Sequence, residues 1–139
     1  MKILAIDFGD SRTGIAISDP LGFMAGRSFV IHEKYFPKLV EKLLDTISLE
    51  KPSEIVLGMP KHMNNDESER SKLSIELRDI LEEKTKLPVI LWDERATTVS
   101  AHQILSNNGK KRKNHIKTVD AVAASLILEG YLRFKELNR

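Results

Sequence analysis

Two patterns of hydrophobic residues recur along the chain: short continuous apolar runs, and longer stretches with an apolar residue every three or four positions. The runs are typical of buried strands, and the periodic stretches are typical of amphipathic helices. The runs predict strands at Ile3–Phe8, Gly14–Ser18, Phe23–Ile31, Ile55–Met59 and Val89–Trp92. Because short turns rich in glycine and proline separate the first three strands, we expect these to form an antiparallel meander.

The periodic stretches predict helices between and after these strands. One helix is expected over about residues 35–48, and a second carries an apolar face of Leu73, Leu77, Ile80 and Leu81. Thr97 or Thr98 can cap a further helix that reaches about Ser106, and Thr118 is the predicted N-cap of the last helix. The predicted inward residues of this last helix are Val119, Val122, Ala123, Leu126, Ile127 and Tyr131.

This order of elements predicts an α/β fold with a mixed five-stranded sheet. The three-strand antiparallel meander is joined by two parallel strands, and helices cover both faces. A length of 139 residues favours one domain over residues 1–139. In open α/β sheets, sites form beyond the carboxyl ends of the parallel strands. Those ends carry Asp7 and the pair Asp93-Glu94, so we expect acidic side chains to converge there.

The composition of the chain limits the kinds of functional site that it can have. Cysteine is absent, which excludes disulfide frameworks, thiolate zinc sites and cysteine nucleophiles. No apolar run approaches 18 residues and an acid follows closely after the N-terminus, so the expectation is a cytoplasmic protein. A net charge of +2 is too small to indicate a nucleic-acid binder by itself. The basic run Lys110, Lys111, Arg112 and Lys113 is the candidate phosphate contact, and a solvated loop explains it equally well.

Three carboxylates are candidates for catalysis. Asp7 ends an apolar strand, where an isolated acid is costly to desolvate, although it could also cap the turn at Gly9. Asp93 and Glu94 are adjacent, so strand alternation turns them to opposite faces. We predict that Glu94 faces the site, while an ion pair with Arg95 is the structural alternative for either acid.

Asp120 is the third candidate. It follows Thr118 by two residues, a position that the helix dipole ordinarily explains. If the last helix packs beside the first strand, Asp120 joins Asp7 and Glu94 in one cleft. Three carboxylates repel one another there, and divalent cations, Mg²⁺ or Mn²⁺, relieve that repulsion. A pair of such ions would activate water against a phosphodiester, which is the chemistry of a nuclease.

The residues around these acids resemble a known family. The similar motifs are Leu4-Ala5-Ile6-Asp7-Phe8-Gly9 with Arg12 and Gly14-Ile15-Ala16, Val56-Leu57-Gly58-Met59-Pro60, Asp93-Glu94-Arg95 with Thr97-Thr98, and Val119-Asp120-Ala121 with Ala123-Ala124 and Ile127-Leu128. They are similar to the YqgF family, the RuvC-like bacterial proteins described as Holliday junction resolvases and as pre-16S rRNA nucleases. The resemblance covers nearly the whole chain.

This resemblance implies a ribonuclease H-like fold and a metal-dependent nuclease that matures the 5′ end of the 16S ribosomal RNA precursor. It also implies that Asp7, Glu94 and Asp120 are the catalytic metal ligands, with Arg12 and Arg95 contacting phosphate. The chain departs from the family after Pro60, where it reads Lys61-His62-Met63-Asn64-Asn65-Asp66 in place of a turn that contains glycine.

Three alternatives stay open at this point. The chain could be a Holliday junction resolvase that acts on branched DNA. It could also be a non-catalytic module that binds RNA or ribosomal particles. The hairpin at Asp7-Phe8-Gly9 also resembles the phosphate loop of the actin and sugar-kinase superfamily, whose members close two such domains around ATP.

Overall fold

In the computed structural model of this protein, the five described strands form one sheet with helices on both faces. The structure describes residues 1–22, 24–59, 69–93 and 115–137. In chain order, the elements are β1 (Ile3–Asp7), β2 (Arg12–Ser18), β3 (Ala25–His32), α1 (Phe36–Glu50), β4 (Glu54–Met59), α2 (Glu69–Thr85), β5 (Val89–Asp93) and α3 (His115–Leu137). The helix predicted from Thr97 or Thr98 to Ser106 lies outside the described residues. None of the described helices is long and apolar enough to cross a membrane.

The strand order β3-β2-β1-β4-β5 confirms the predicted topology. β1, β2 and β3 form the antiparallel meander, while β4 pairs parallel to β1 and β5 pairs parallel to β4. Asp7 lies opposite Gly58, and Met59 lies opposite Asp93. β1, β4 and β5 therefore end together at one side of the sheet, which we call the carboxyl edge.

Alternate residues of the central strands fill two separate cores. Leu4, Ile6, Ile55 and Leu57 pack with buried residues of α1 and α2 on one face. Ile3, Ala5 and Val56 pack with α3 on the other face. Both faces of β1 and β4 are covered, which explains why their sequences are continuous apolar runs rather than alternating ones.

α1 follows its predicted pattern closely. Its buried residues Leu39, Leu43 and Ile47 recur at intervals of four. The helix ends where Lys51 adopts the left-handed conformation, with φ of 52° and its backbone N–H donating to the Ile47 carbonyl at 2.8 Å. Pro52 then prevents any continuation of the helix.

The predicted apolar face of α2 is only half correct. Leu77 and Leu81 are buried, but Leu73 is exposed and Ser74 takes the inward position one turn before Leu77. The hydroxyl of Ser74 is buried without a hydrogen-bond partner. Residue 73 is rotated about 100° around the helix axis from residue 74, and in this helix the serine rather than the leucine faces the core.

The last helix also differs from the prediction. α3 begins at His115, so Thr118 lies within the helix rather than at its N-cap. The buried residues are Ala123, Ala124, Ile127, Leu128, Tyr131 and Leu132, whereas Val122 and Leu126 are only partly buried. The small Ala123 and Ala124 let the helix approach the sheet closely, and the bulkier Val122 and Leu126 lie at the sides of this contact.

A polar contact fixes the C-terminal half of α3. Glu54, the first residue of β4, is buried and accepts hydrogen bonds from the Tyr131 hydroxyl, at 3.1 Å, and from Lys135 Nζ. The Tyr131 ring also packs edge-to-face on Trp92, with ring centroids 5.6 Å apart. Because this end of α3 lies where β1 and β4 begin, the N-terminal end of α3 is directed toward the carboxyl edge.

Tyr131 should make the free energy of unfolding depend on pH in the alkaline range. Burial, together with the charge and hydrogen bonding of Glu54, raises the pKa of Tyr131 from 10.0 to about 12. The unfolded chain releases this proton first, so the stabilisation is present below pH 10 and is lost as the pH rises through 12. We expect Tyr131→Phe to cost about 1 to 2 kcal/mol at pH 7 and to flatten the decline above pH 10.

Urea unfolding of the wild type and of Tyr131→Phe between pH 7 and 12 measures this effect. Tyr35→Phe is the matched control, because Tyr35 is 62% exposed. If the free energy of unfolding fell equally with pH for Tyr131→Phe and the wild type above pH 10, Tyr131 would not be the group responsible.

Candidate functional site

Asp7 is the described acid at the centre of the carboxyl edge. It is the last residue of β1, and β1 lies between β2 and β4. Asp7 shares the strand parity of Ile3 and Ala5, which pack with α3, so it belongs to the α3 face of the sheet. Its side chain is half-buried, as expected for an acid at the rim of a covered sheet.

Glycines flank Asp7 on both neighbouring strands. Gly14 of β2 is its antiparallel partner and Gly58 of β4 is its parallel partner. Cross-strand neighbours ordinarily place their Cβ atoms about 4.5–5.5 Å apart on one face. Neither register partner of Asp7 has a Cβ, so the two positions directly beside it on β2 and β4 carry no side chain.

The turn after Asp7 is tightly constrained. A Cβ on Gly9 would lie 2.0 Å from the Arg12 carbonyl oxygen, so no other residue fits there without moving the backbone. The Gly9 backbone N–H donates to the fully buried Thr13 hydroxyl at 3.4 Å. Phe8 is buried and packs edge-to-face on Phe36 of α1, with centroids 6.0 Å apart. This turn places Arg12 at the start of β2, on the carboxyl edge.

The structure locates two further predicted acids along the backbone. Asp93 ends β5 at the carboxyl edge, opposite Met59. Asp120 belongs to the N-terminal part of α3, and its side chain is outside what the structure describes. Glu94, Arg95 and the basic run Lys110, Lys111, Arg112 and Lys113 lie outside the described residues, as does the segment after Pro60.

The predicted carboxylate cluster therefore stays a prediction. Within the described ranges, no three side chains of His, Asp or Glu form a group that could hold a metal ion. Asp7 is the one member of the predicted set whose side chain is described. Its carboxylate, bordered by Gly14 and Gly58, fits the role of one hard oxygen ligand.

Sequence reasoning missed two features of this edge. The glycines beside Asp7 are visible in the sequence, but their position depends on strand register that the sequence does not state. The second feature is an open depression lined by Ser11, Arg12, His32, Glu33 and Lys34, where β2 begins and β3 ends. The run of polar and charged residues His32-Glu33-Lys34 was the signal for it in the sequence.

Comparison with known proteins identifies the family. Residues 1–134 match the family model RuvX, described as Holliday junction resolvase. The chain belongs to the RuvX family. A relative from Agathobacter rectalis, named "Putative pre-16S rRNA nuclease", is 41% identical, and the match covers 100% of this chain and 99% of that protein.

Solved structures confirm the ribonuclease H-like fold of this RuvX family member. RuvC from T. thermophilus in complex with a Holliday junction substrate has a TM-score of 0.67 at 11% identity, covering 99% of this chain and 96% of that chain. The ROK hexokinase from Thermus thermophilus has a TM-score of 0.51 at 21% identity, and only 40% of its chain is covered. The likeness to the kinase is thus a likeness in one part of a larger protein.

The turn at Gly9 should tolerate no side chain. We expect Gly9→Ala to cost about 2 kcal/mol or more, because the new Cβ would overlap a backbone carbonyl oxygen. Gly130→Ala in α3 is the matched control, since its Cβ would meet Trp92 at 3.5 Å, an ordinary contact. Alanine in a helix interior gains about 1 kcal/mol over glycine, so this control should be neutral or stabilising. Thermal unfolding compares the two, and equal melting temperatures would refute the constraint at Gly9.

Proposed function

We propose that residues 1–139 form one nuclease domain that hydrolyses phosphodiester bonds at the carboxyl edge with the help of divalent metal ions. The observation that carries this proposal is the position of Asp7, at the end of the central strand and between two glycines. Membership of the RuvX family and the name of the A. rectalis relative support a nuclease over a kinase.

Strand parity supports Glu94 as the second acidic ligand. Trp92 lies on the α3 face, where it packs with Tyr131, and it is the register partner of Gly58. If strand alternation held one residue beyond β5, position 94 would share the parity of Trp92 and Asp7. Asp93 has the opposite parity, which matches the α1 and α2 face.

The helical spacing of α3 supports Asp120 as the third ligand. Position 120 precedes the buried Ala124 by four residues and the buried Ile127 by seven, which is the spacing of one helix face. The N-terminal part of α3 is also the part directed toward the carboxyl edge. Asp7, Glu94 and Asp120 together would hold Mg²⁺ or Mn²⁺, and a pair of such ions would activate water and stabilise the leaving oxygen.

The cationic residues would hold the nucleic-acid backbone. Arg12 lies on the carboxyl edge, two positions along β2 from Gly14. We propose that Arg12 and Arg95 contact phosphates near the scissile bond, and that Lys110, Lys111, Arg112 and Lys113 bind the backbone further away. Such contacts add affinity and salt dependence but read little sequence.

The proposed substrate is the 16S ribosomal RNA precursor, which would be processed at its 5′ end in the cytoplasm. The name of the A. rectalis relative supports this choice. A four-way DNA junction is the second candidate, favoured by the likeness to RuvC in complex with such a substrate. A cleavage assay on the precursor RNA, the junction and plain single strands, with and without Mg²⁺, decides between them. If none of these substrates is cleaved, the non-catalytic binding module is the alternative that stays open.

Asp7→Asn should remove cleavage without removing the fold. The substitution keeps the side-chain volume but deletes one charge from the proposed metal site, so we expect the cleavage rate to fall about a hundredfold or more. Asp45→Asn on α1 is the matched control, because Asp45 is exposed and far from the edge. Thermal unfolding without metal should show no loss of stability for Asp7→Asn. Wild-type cleavage by this variant would refute the proposed site.

Glu94→Gln should reduce cleavage and Mg²⁺ affinity more than Asp93→Asn does. The two substitutions remove the same charge from adjacent positions of opposite strand parity. Cleavage rates and calorimetric titration with Mg²⁺ measure the difference. A larger loss for Asp93→Asn would mean that Asp93, not Glu94, faces Asp7.

A further inference from the structure

A basic surface lies at the carboxyl edge on the side of Asp7 away from β4. It is formed by Arg12, His32, Lys34, Tyr35 and Lys38, and we call it the β3–α1 corner. β3 ends at His32, directly opposite Arg12, the first residue of β2. Asp7 is level with Gly14 of β2 and Val30 of β3, and His32 lies two residues beyond Val30. Two strand spacings and two residue steps give a distance of about 12 Å between the backbones of Asp7 and His32.

Glu33 fixes the shape of the β3–α1 corner. Its backbone N–H donates to the Ser11 carbonyl at 3.0 Å, which ties the corner to the hairpin turn. Its carboxylate forms an ion pair with Lys42 at 2.9 Å and accepts a hydrogen bond from the Tyr35 backbone N–H at 3.2 Å. These two contacts, led by Lys42, hold the pKa of Glu33 below its ordinary value. The charge of Glu33 is thus engaged mainly by Lys42.

Apart from Tyr35, the other ionisable residues of the corner are basic. Lys34 and Lys38 are exposed, and Lys38 is close enough to Glu33 to contribute to lowering the pKa of that carboxyl. Arg12, His32 and Lys34 line the depression together, and Glu33 is the one acid among its five lining residues. This arrangement favours an anionic partner such as a phosphate backbone.

Tyr35 adds an aromatic ring to this cationic surface. Its side chain is 62% exposed, and its backbone is held at the N-cap of α1 by Glu33. A single exposed tyrosine is ordinary. An exposed ring on a fixed backbone, flanked by lysines and close to the proposed site, is the combination that binds unpaired bases by stacking and phosphates by charge.

We propose that the β3–α1 corner binds an unpaired strand of the RNA substrate, with one base stacked on Tyr35 and the neighbouring phosphates held by Lys34 and Lys38. This inference rests on the proposed function. The roughly 12 Å from Asp7 to His32, at the near side of the corner, corresponds to about three or four nucleotides of stacked strand. A fully paired duplex has no free base face to offer Tyr35, so the corner would favour substrates with a single-stranded arm next to the cleavage site.

Equilibrium binding tests the corner without relying on cleavage. Fluorescence anisotropy would measure the affinity of the full chain for a labelled 12-nucleotide oligouridine and for a blunt RNA duplex. We expect Tyr35→Ala to weaken oligouridine binding about tenfold, Tyr35→Phe to bind as the wild type does, and duplex binding to change little in both. Wild-type oligouridine affinity for Tyr35→Ala, or an equal loss for Tyr35→Phe, would overturn the stacking role.

The lysines have a separate readout. The double variant Lys34→Gln/Lys38→Gln should lower the slope of log affinity against log salt by about 1.4 for oligouridine, corresponding to two lost phosphate contacts. Lys72→Gln/Lys84→Gln on α2 is the matched control, since both lysines are exposed. Equal slopes for the two double variants would overturn the phosphate role.

Cleavage by the same variants separates this inference from the proposed function. If Tyr35→Ala weakens oligouridine binding while the wild type cleaves nothing, the corner is confirmed and the nuclease assignment fails. If the wild type cleaves single-stranded arms and Tyr35→Ala binds and cleaves them equally well, the nuclease stands and the corner is refuted.

Discussion

The parallel pairing of β1 with β4 is the contact on which the rest of the structure depends. These two strands join the meander to β5 and carry the layers of both cores, and their central residues are fully buried. The pairing also sets Asp7 level with Gly58. A slip of one residue would turn every side chain of β1 to the other face, so the hydrophobic cores that fix the register also fix the face on which Asp7 lies.

The position of α3 on the sheet links the edge where β4 begins to the carboxyl edge. At the edge where β4 begins, Glu54 accepts hydrogen bonds from Tyr131 and Lys135, which sets the position of the helix along the sheet. Nearer the carboxyl edge, Ala123 and Ala124 permit a close approach. A helix rises about 1.5 Å per residue, so anchoring residue 131 determines where position 120 comes to lie relative to Asp7.

The sequence predicted the strands well and the helix faces less well. All five strands lie within two residues of their predicted bounds, because strands covered on both faces need long apolar runs. Helix faces depend on what each helix meets, and periodicity alone did not show that Ser74 rather than Leu73 turns inward. Asp7 was predicted from its place at a strand end. Its glycine neighbours and the pairing of His32 with Arg12 were not, since both arise from residues far apart in sequence.

The lysines of the β3–α1 corner lie apart from Asp7, and this separation bears on the proposed chemistry. Asp7 lies on the central strand, while Lys34 and Lys38 follow His32, whose backbone is already about 12 Å from that of Asp7 by strand geometry. At physiological ionic strength the screening length is about 8 Å, so exposed lysines at that distance compensate little of the charge on Asp7. A phosphate brought to Asp7 would therefore need a nearer cation than these lysines, and Arg12 and the proposed metal ions are the candidates. The corner would attract and orient a strand, whereas the charge at the reacting bond would have to be neutralised by cations next to Asp7. Under the proposed function, binding at the β3–α1 corner and cleavage at Asp7 would thus depend on different residues of the same edge.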